Sequence, residues 1–184
     1  MTRILSVIDR GNATGKRNYC IILLVVRCGI RTGDVSSLKL ENFNWEQGYI
    51  EFVQHKTSVP NRLPLPEDVG LAIIDYLQHG RPLTNDPHVF VKHIMPHDKM
   101  KCLTQIFYNY LVKAGIKKDE RFRHGLHSLR HTLATRLLEE DVPLEVISSV
   151  LGHASPESVK PYLRINVDKL RVCALQGQEG NENE

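Results

Sequence analysis

The segment NYCIILLVVRCG, residues 18–29, constrains the fold more than any other, because it is apolar on every face. A helix without a polar face must be surrounded by other elements of the protein. Asn18 is a possible N-cap, and Gly29 is placed to end the helix. The apolar run at residues 20–26 is too short to cross a bilayer. The segment therefore predicts a buried helix at the centre of a domain.

The rest of the chain predicts more helices and one hairpin. GYIEFVQHK and RLPLP indicate two strands around the turn-rich sequence TSVPN, and Pro64 confines the second strand to a sheet edge. The expected fold class is mainly α with a small antiparallel β-sheet, an α+β arrangement. Helices are predicted over residues 34–43, 67–80, 100–115 and 128–141, and a short strand over residues 89–97.

Composition divides the chain into three parts. Residues 1–17 are polar and basic with two glycines, which is typical of an arm or linker, and residues 18–175 form the predicted domain. Residues 176–184, QGQEGNENE, predict a disordered acidic tail. The whole chain carries a net charge of +3; the tail holds three glutamates and no base, so the remainder carries +6. A basic body permits a polyanionic partner without requiring one.

Several classes of protein are disfavoured. The first 18 residues lack the apolar core and small-residue cleavage site of a signal peptide, so no secretion and no membrane association are expected. The four cysteines are scattered, with no C-x-x-C pair, which favours reduced thiols in a cytoplasmic protein over a disulfide framework. They are Cys20, Cys28, Cys102 and Cys173.

Four short stretches carry side chains suited to chemistry. They are CGIRTGD at residues 28–34, the hairpin turn, HSLRH at residues 127–131 and LGHASPESVKPYLRI at residues 151–165. Each has an ordinary explanation on its own, since exposed basic residues and packed tyrosines are common. The side chains concerned are Arg31, Lys56, His127, Arg130, His153 and Tyr162.

Together these side chains suit phosphodiester transfer. Two guanidiniums hold one phosphate in planar, bidentate geometry, and cations stabilise the charge that develops on its oxygens. A tyrosine hydroxyl can act as the nucleophile when a neighbouring base accepts its proton. A lysine can protonate the leaving oxygen. This set needs neither a metal ion nor another cofactor.

The order Arg, Lys, His-x-x-Arg, His, Tyr resembles the tyrosine recombinases, also called the phage integrase family. CGIRTGDVSSLKL resembles the family's first arginine box, and residues 127–165 resemble its second box almost throughout. The resemblance covers roughly residues 18–175. It implies a tyrosine recombinase catalytic-domain fold and an enzyme that breaks and rejoins DNA.

The resemblance also implies how the phosphate is held. Arg31 and Arg130 would bind the scissile phosphate, and His153 would donate a hydrogen bond to one of its oxygens. Asp34 would orient Arg31 through a salt bridge. Alternatively, or in addition, Asp34 would be the N-cap of the short helix that follows Gly33.

Proton transfers follow from the same resemblance. Tyr162 would attack phosphorus and form a 3′-phosphotyrosyl link. Lys56 would protonate the departing 5′-oxygen, and His127 would serve as proton acceptor or phosphate ligand. The 5′-hydroxyl of a partner strand would then reverse the step, so no ATP is implied.

Two departures from the family pattern affect the interpretation. The family normally carries an N-terminal clamp domain, and the chain has room only for the catalytic domain and a short arm, so a fragment of a longer integrase is expected, with a naturally short protein as the alternative. Pro161 directly precedes Tyr162 and disfavours helix at Lys160, so the helix begun at Ser155 is expected to break there.

The expected partners are double-stranded DNA and other copies of the protein, assembled as a tetramer on DNA. Lysines and arginines outside the four stretches would contact the DNA backbone and make binding sensitive to salt. The candidates are Arg62, Lys99, Lys101, Arg121, Arg123 and Lys160.

Three alternatives stay open on the sequence. A metal site would use His124, His127 and His131, or His93 with His97, although no H-E-x-x-H motif or cysteine pair supports it. A catalytically silent DNA-binding module would keep the fold without the reaction. A type IB topoisomerase would use the same tyrosine chemistry to relax DNA.

Overall fold

The computed structural model describes residues 2–116, 126–143 and 146–147, with the side chains of Thr2 and of residues 126–132 left undescribed. It is helix-rich with one small antiparallel sheet, which confirms the predicted fold class. The elements, in chain order, are α1 (Thr2–Ser6), α2 (Ala13–Cys28), α3 (Thr32–Ser37), a 3-10 turn (Leu40–Asn42), β1 (Phe43–Asn44), β2 (Tyr49–Val53), β3 (Pro60–Pro64), α4 (Glu67–His79), α5 (Thr104–Lys113) and α6 (Leu126–Glu139).

Helix α2 lies at the centre of the main core. Residues 20–25 are consecutive and no more than 2% exposed, so no face of this stretch meets solvent. Helices α4 and α6 pack against it, and α1 and α3 contact it as well. Gly29 ends the helix in the left-handed conformation, with φ of 64°, and donates its N–H to the carbonyl of Val25. The prediction of a buried central helix that stops at Gly29 is confirmed.

The start of α2 differs from the prediction. Asn12, not Asn18, is the N-cap, and its side-chain oxygen accepts from the Gly15 N–H at 2.8 Å. Asn18 lies inside the helix and donates to the Tyr110 hydroxyl. Gly15, one of the two glycines that suggested a linker, is required by the packing of the chain. A Cβ at Gly15 would lie 1.7 Å from the carbonyl oxygen of Asp9, so the chain approaches itself too closely for any side chain.

Residues 2–17 are therefore part of the fold and not an arm, which corrects the predicted boundary. Ile4 and Ile8 are both buried in the main core. The Arg3 guanidinium donates to the carbonyl of Ala114 at 3.0 Å, which ties α1 to the end of α5. Five-residue α1 has too few apolar residues to reveal helical periodicity, so the sequence pattern missed it.

The sheet has the order β1-β2-β3, and each neighbouring pair is antiparallel. Ile50 and Phe52 of β2 face the core, while Glu51 between them faces solvent. Pro64 pairs with Tyr49 at the end of the β3 ladder. β3 is an edge strand, as Pro64 predicts, because proline has no N–H for a second neighbour.

Residues 89–97 do not form the predicted strand. Residues 89–91 are fully buried, but among the described residues only single bridges pair this region with the rest of the protein. The buried backbone is satisfied by separate contacts: the Val89 N–H donates to the carbonyl of Leu38 at 2.9 Å, and the carbonyl of Val91 accepts from the Arg17 guanidinium at 3.2 Å. Because these contacts satisfy the backbone, the segment is buried without a paired strand.

Helix α6 brings a second, smaller apolar cluster. Ala134 and Ile147 are fully buried there, and Leu133, Leu137 and Val142 pack around them. Among the residues that the structure describes, no helix is long and apolar enough to span a membrane.

The N-cap of α2 gives a test of stability. Replacing Asn12 by alanine removes the acceptor for the Gly15 N–H, and we expect the free energy of unfolding to fall by about 1 kcal/mol. Asn12→Ser keeps a capping oxygen and should recover most of that loss. Urea denaturation followed by circular dichroism measures both values. Equal stability of Asn12→Ala and the wild type would contradict the assigned cap.

Candidate active site

Arg31 stands where α2 gives way to α3. The left-handed turn at Gly29 reverses the chain, and the backbone of Arg31 has the extended geometry of an N-cap, with φ −65° and ψ 144°. Its side chain is half-buried and donates from Nη1 to Oε1 of Gln54 at 2.7 Å. The guanidinium is therefore directed toward the end of β2.

Asp34 lies in the first turn of α3 and is 4% exposed. Its Oδ1 accepts from the backbone N–H of His55 at 2.8 Å. Arg31, not Asp34, has the N-cap position of α3, which corrects that alternative. The salt bridge expected between Asp34 and Arg31 stays a prediction. Asp34 holds His55, which directly follows Gln54, the hydrogen-bond acceptor of Arg31.

The turn between β2 and β3 is closed by its own backbone. The Gln54 N–H donates to the carbonyl of Val59, and the Ser58 N–H donates to the carbonyl of Gln54. Ser58 is left-handed, with φ of 55°. Residues 55–58 thus form a four-residue loop between Gln54 and Val59, and loops of this length are common hairpin connections. His55, Lys56 and Thr57 therefore form a defined turn.

Lys56 is exposed at this turn, as the sequence predicts. Within the part of the chain that the structure describes, its ammonium has no hydrogen-bond or ion-pair partner. Its neighbours on both sides are anchored: His55 to Asp34, and Thr57 to the Gln54 carboxamide at 2.8 Å. A guanidinium and an ammonium thus stand on adjoining segments, an arrangement suited to an anion such as a phosphate.

Sequence reasoning missed Gln54, His55 and Thr57. One signal was available for Gln54, because side chains two apart on a strand share a face. Ile50 and Phe52 face the core, so the same alternation directs Gln54 inward, and it is 1% exposed. The contacts of His55 and Thr57 leave no such pattern in the sequence.

The second half of the predicted site is described only in part. His127 and Arg130 lie in α6, which packs against α2, but their side chains lie outside the described residues. His153 and Tyr162 also lie outside the described residues, as does the break predicted before Tyr162 at Pro161. Their roles stay predictions.

The histidines proposed as metal ligands have other contacts where they are described. Nδ1 of His93 lies 3.0 Å from Oγ1 of Thr14, and the ring of His97 donates from Nδ1 to the carbonyl of Lys92. Burial lowers the pKa of His93. Over the described ranges, no group of three or more histidine, cysteine, aspartate or glutamate side chains is arranged to hold a metal ion. His124 lies outside those ranges, and the side chains of His127 and His131 are not described.

Two buried cysteines are unpaired. Cys20 and Cys28 are free thiols, and burial raises the pKa of each to about 12. Cys102 is also free and is exposed, while Cys173 lies outside the described residues. The two core thiols remain protonated near neutral pH, so they act as small apolar side chains.

The predicted DNA-contacting residues fall into different surroundings. Arg62 pairs with Glu51 at 3.2 Å and lies 4.4 Å above the ring of Tyr49. Lys99 donates from Nζ to Oγ of Ser37, at 2.9 Å, beside α3. Lys101 is exposed. Arg121, Arg123 and Lys160 lie outside the described residues.

Comparison with known proteins gives one consistent family. The model of the phage integrase family matches residues 1–169. The chain is 37% identical over 161 residues to y4gC of Sinorhizobium fredii (strain NBRC 101917 / NGR234), described as an integrase/recombinase; the match covers 88% of this chain and 83% of that protein. It is 30% identical to the tyrosine recombinase XerA of Pyrococcus furiosus, over 84% of this chain and 52% of that protein.

Solved structures show the same fold. A crystal structure of XerA recombinase superposes with a TM-score of 0.75 and 24% identity, covering 96% of this chain and 62% of that one. The site-specific recombinase XerH, in a post-cleavage complex with palindromic difH substrate, gives 0.77 and 21%, covering 94% and 50%. The chain thus spans about half the length of XerA of P. furiosus and of XerH.

The contact between Asp34 and His55 gives a second test. Asp34→Ala removes the only described acceptor of the His55 N–H, and Asp34→Asn keeps one. Since a hydrogen bond to a charged group contributes about 1.5–3 kcal/mol, we expect the His55 amide to exchange about ten- to a hundredfold faster in Asp34→Ala. Hydrogen exchange by NMR measures this, with the remote Gly80 amide as control. An unchanged His55 rate would show that Asp34 does not hold the turn.

Proposed function

The chain belongs to the phage integrase family of tyrosine recombinases, and we propose that it exchanges DNA strands at specific sites through a covalent 3′-phosphotyrosyl intermediate. The observation that carries the proposal is the meeting of two predicted site segments. Arg31 contacts Gln54, and Asp34 contacts His55, so the first arginine box lies against the Lys56 turn, which supports a single site. Arg31 and Lys56 therefore lie on adjoining segments of the fold, although α3, β1 and β2 separate them in the chain.

Phosphate binding is the first part of the mechanism. Arg31, and Arg130 from α6, bind the non-bridging oxygens of the scissile phosphate, and His153 donates a hydrogen bond to the same group. Guanidiniums suit this task because their planar donors match two oxygens at once. They also stabilise the negative charge that grows as the phosphorane forms.

Cleavage and rejoining exchange one phosphodiester for another. The Tyr162 oxygen attacks phosphorus and its proton passes to His127, while the bond to the 5′-oxygen breaks and Lys56 protonates that oxygen. The 5′-hydroxyl of a partner strand then attacks the phosphotyrosine and releases Tyr162. The bonds broken and formed are of the same kind, so the residues named supply the reaction without ATP or a metal ion.

The proposed partners are double-stranded DNA and further copies of the chain assembled on it. The resemblance to XerH, whose structure holds a DNA substrate after cleavage, supports the DNA partner. Lys99 adds positive charge beside α3, and Lys101 is exposed. A dependence of cleavage on paired specific sites would distinguish this assembly from a type IB topoisomerase acting alone. The unpaired thiols and the DNA substrate support a cytoplasmic location.

Covalent trapping tests the reaction. The protein is incubated in EDTA with a supercoiled plasmid that carries the chromosomal DNA flanking its gene, and the reaction is stopped with detergent. We expect a protein–DNA adduct that is lost in Tyr162→Phe and kept in the matched control Tyr108→Phe on α5. An adduct that survives Tyr162→Phe would assign another nucleophile. If the complete gene product formed none on this plasmid, a silent DNA-binding module would replace the enzyme.

The role of Lys56 has its own test. Lys56→Ala should slow cleavage of ordinary DNA by about 10²–10⁴-fold, the usual contribution of a general acid. A substrate with sulfur at the bridging 5′ position should restore most of the rate, because a thiolate leaves without protonation. Gel assays of single-turnover cleavage give both rates, with Lys113→Ala as control. Equal defects on both substrates would exclude Lys56 as the proton donor.

A further inference from the structure

Gln54 is a polar side chain at a place where the fold admits little water. It is 1% exposed, and it follows Ile50 and Phe52 on the inward face of β2. A buried carboxamide must find hydrogen-bond partners, because leaving one unsatisfied costs about 1–3 kcal/mol. The partners that Gln54 has found lie on two different segments of the site.

One oxygen atom serves both partners. Oε1 of Gln54 accepts from Nη1 of Arg31 at 2.7 Å and from Oγ1 of Thr57 at 2.8 Å. Arg31 precedes α3, whereas Thr57 lies in the hairpin turn directly after Lys56. The position of the guanidinium and the position of the turn are therefore both defined relative to the same atom.

The backbone of Gln54 reinforces the connection. Its carbonyl accepts from the Ser58 N–H at 2.8 Å, and its N–H donates to the Val59 carbonyl at 3.0 Å. The turn is thus bonded to Gln54 by backbone and side chain at once. Lys56 lies at the centre of that turn.

We propose that Gln54 is a positioning residue that couples the phosphate-binding Arg31 to the turn bearing the proton donor Lys56. The proposal rests on the proposed function, since it assigns a purpose to the relative placement of these two cations. It adds a residue outside the set that resemblance to the family predicts. Gln54 itself does not touch the substrate; it acts through Arg31 and through the turn.

The neutral charge of Gln54 is part of the argument. A glutamate in this position would also accept from Arg31 and Thr57, but its negative charge would offset the guanidinium that must attract a phosphate. A carboxamide orients Arg31 while leaving the full positive charge at the site. The buried carboxylate nearby, Asp34, accepts instead from a backbone N–H.

Two substrates separate the two halves of the coupling. Sulfur at the bridging 5′ position makes cleavage independent of a proton donor, so it conceals any misplacement of Lys56. It leaves the non-bridging oxygens unchanged, so a misplacement of Arg31 remains visible. The probes are therefore two duplexes that carry either oxygen or sulfur at the bridging 5′ position of the cleavage site. The trapped adduct shows where that site lies.

Two near-isosteric substitutions break the coupling at different points. Thr57→Val removes only the side-chain bond between the turn and Gln54, so its defect should appear on the oxygen substrate and vanish on the sulfur substrate. Gln54→Met removes both bonds. We expect about a 10²-fold loss on the oxygen substrate, as for a misplacement of about 1 Å, and only partial recovery on the sulfur substrate. Binding of the uncleaved duplex should change less than the cleavage rate.

Gln54→Glu serves as the charge control. It keeps acceptors for Arg31 and Thr57, so the turn should remain in place and the ratio of rates on the two substrates should match that of the wild type. The defect expected is weaker binding of the duplex, because the added negative charge opposes the phosphate.

A measurement on the protein without DNA keeps the coupling testable apart from activity. Arg31→Met removes the donor on one side of Gln54, and we expect the amides of residues 55–58 to exchange faster because the loss is transmitted through Gln54. Gln54→Met combined with Arg31→Met should add little beyond Gln54→Met alone, since both act through one atom. The Gly80 amide is again the control.

The outcomes are distinguishable. If the wild type forms no adduct dependent on Tyr162, the proposed function fails, while the exchange measurement still decides whether Gln54 links the two segments. If the wild type cleaves DNA but Gln54→Met cleaves as fast, the proposal is wrong. It is also wrong if Gln54→Met slows cleavage of both substrates by the same factor, in proportion to its loss of stability. A third contradicting result is that Arg31→Met leaves the exchange rates of the amides of residues 55–58 unchanged.

Discussion

Burial of α2 on every face is the constraint on which the rest of the structure depends. Burying one large aliphatic side chain contributes about 1.5–3 kcal/mol, and residues 20–25 bury six side chains in succession. To surround such a helix, α1, α3, α4 and α6 must all contact it. Its end is consequently a fixed point in the molecule, and Arg31 comes two residues after the glycine that ends it.

Polar contacts join the segment at that fixed end to the hairpin turn. Asp34 and Gln54 are both buried, at 4% and 1% exposure, and each uses its side-chain oxygen on the other segment. Hydrogen bonds that involve a charged partner are stronger than neutral ones, and low exposure strengthens them further. The sheet thus supplies a rigid base for the turn, while Lys56 itself stays exposed.

The errors of sequence reasoning have a common physical origin. Residues 2–17 look like an arm because α1 is short and because Gly11 and Gly15 suggest flexibility, yet Gly15 is required by the close approach of the Asp9 carbonyl. Residues 89–97 look like a strand because several of them are apolar, yet the Arg17 guanidinium binds the Val91 carbonyl that a strand would have paired. In both cases a specific contact overrides the local pattern, and the residue types alone do not reveal it.

The sequence by itself determined the buried central helix, its end at Gly29, the edge strand at Pro64 and the residue types of the proposed site, because periodicity, turn chemistry and family motifs are local. Only the tertiary structure decided how Arg31 and Lys56 are related. The bond between Arg31 and Gln54 joins residues 23 apart, and that between Asp34 and His55 joins residues 21 apart. These bonds form only where hydrophobic packing places the hairpin beside α3. No short stretch of the sequence contains both partners, so local patterns cannot predict the contact.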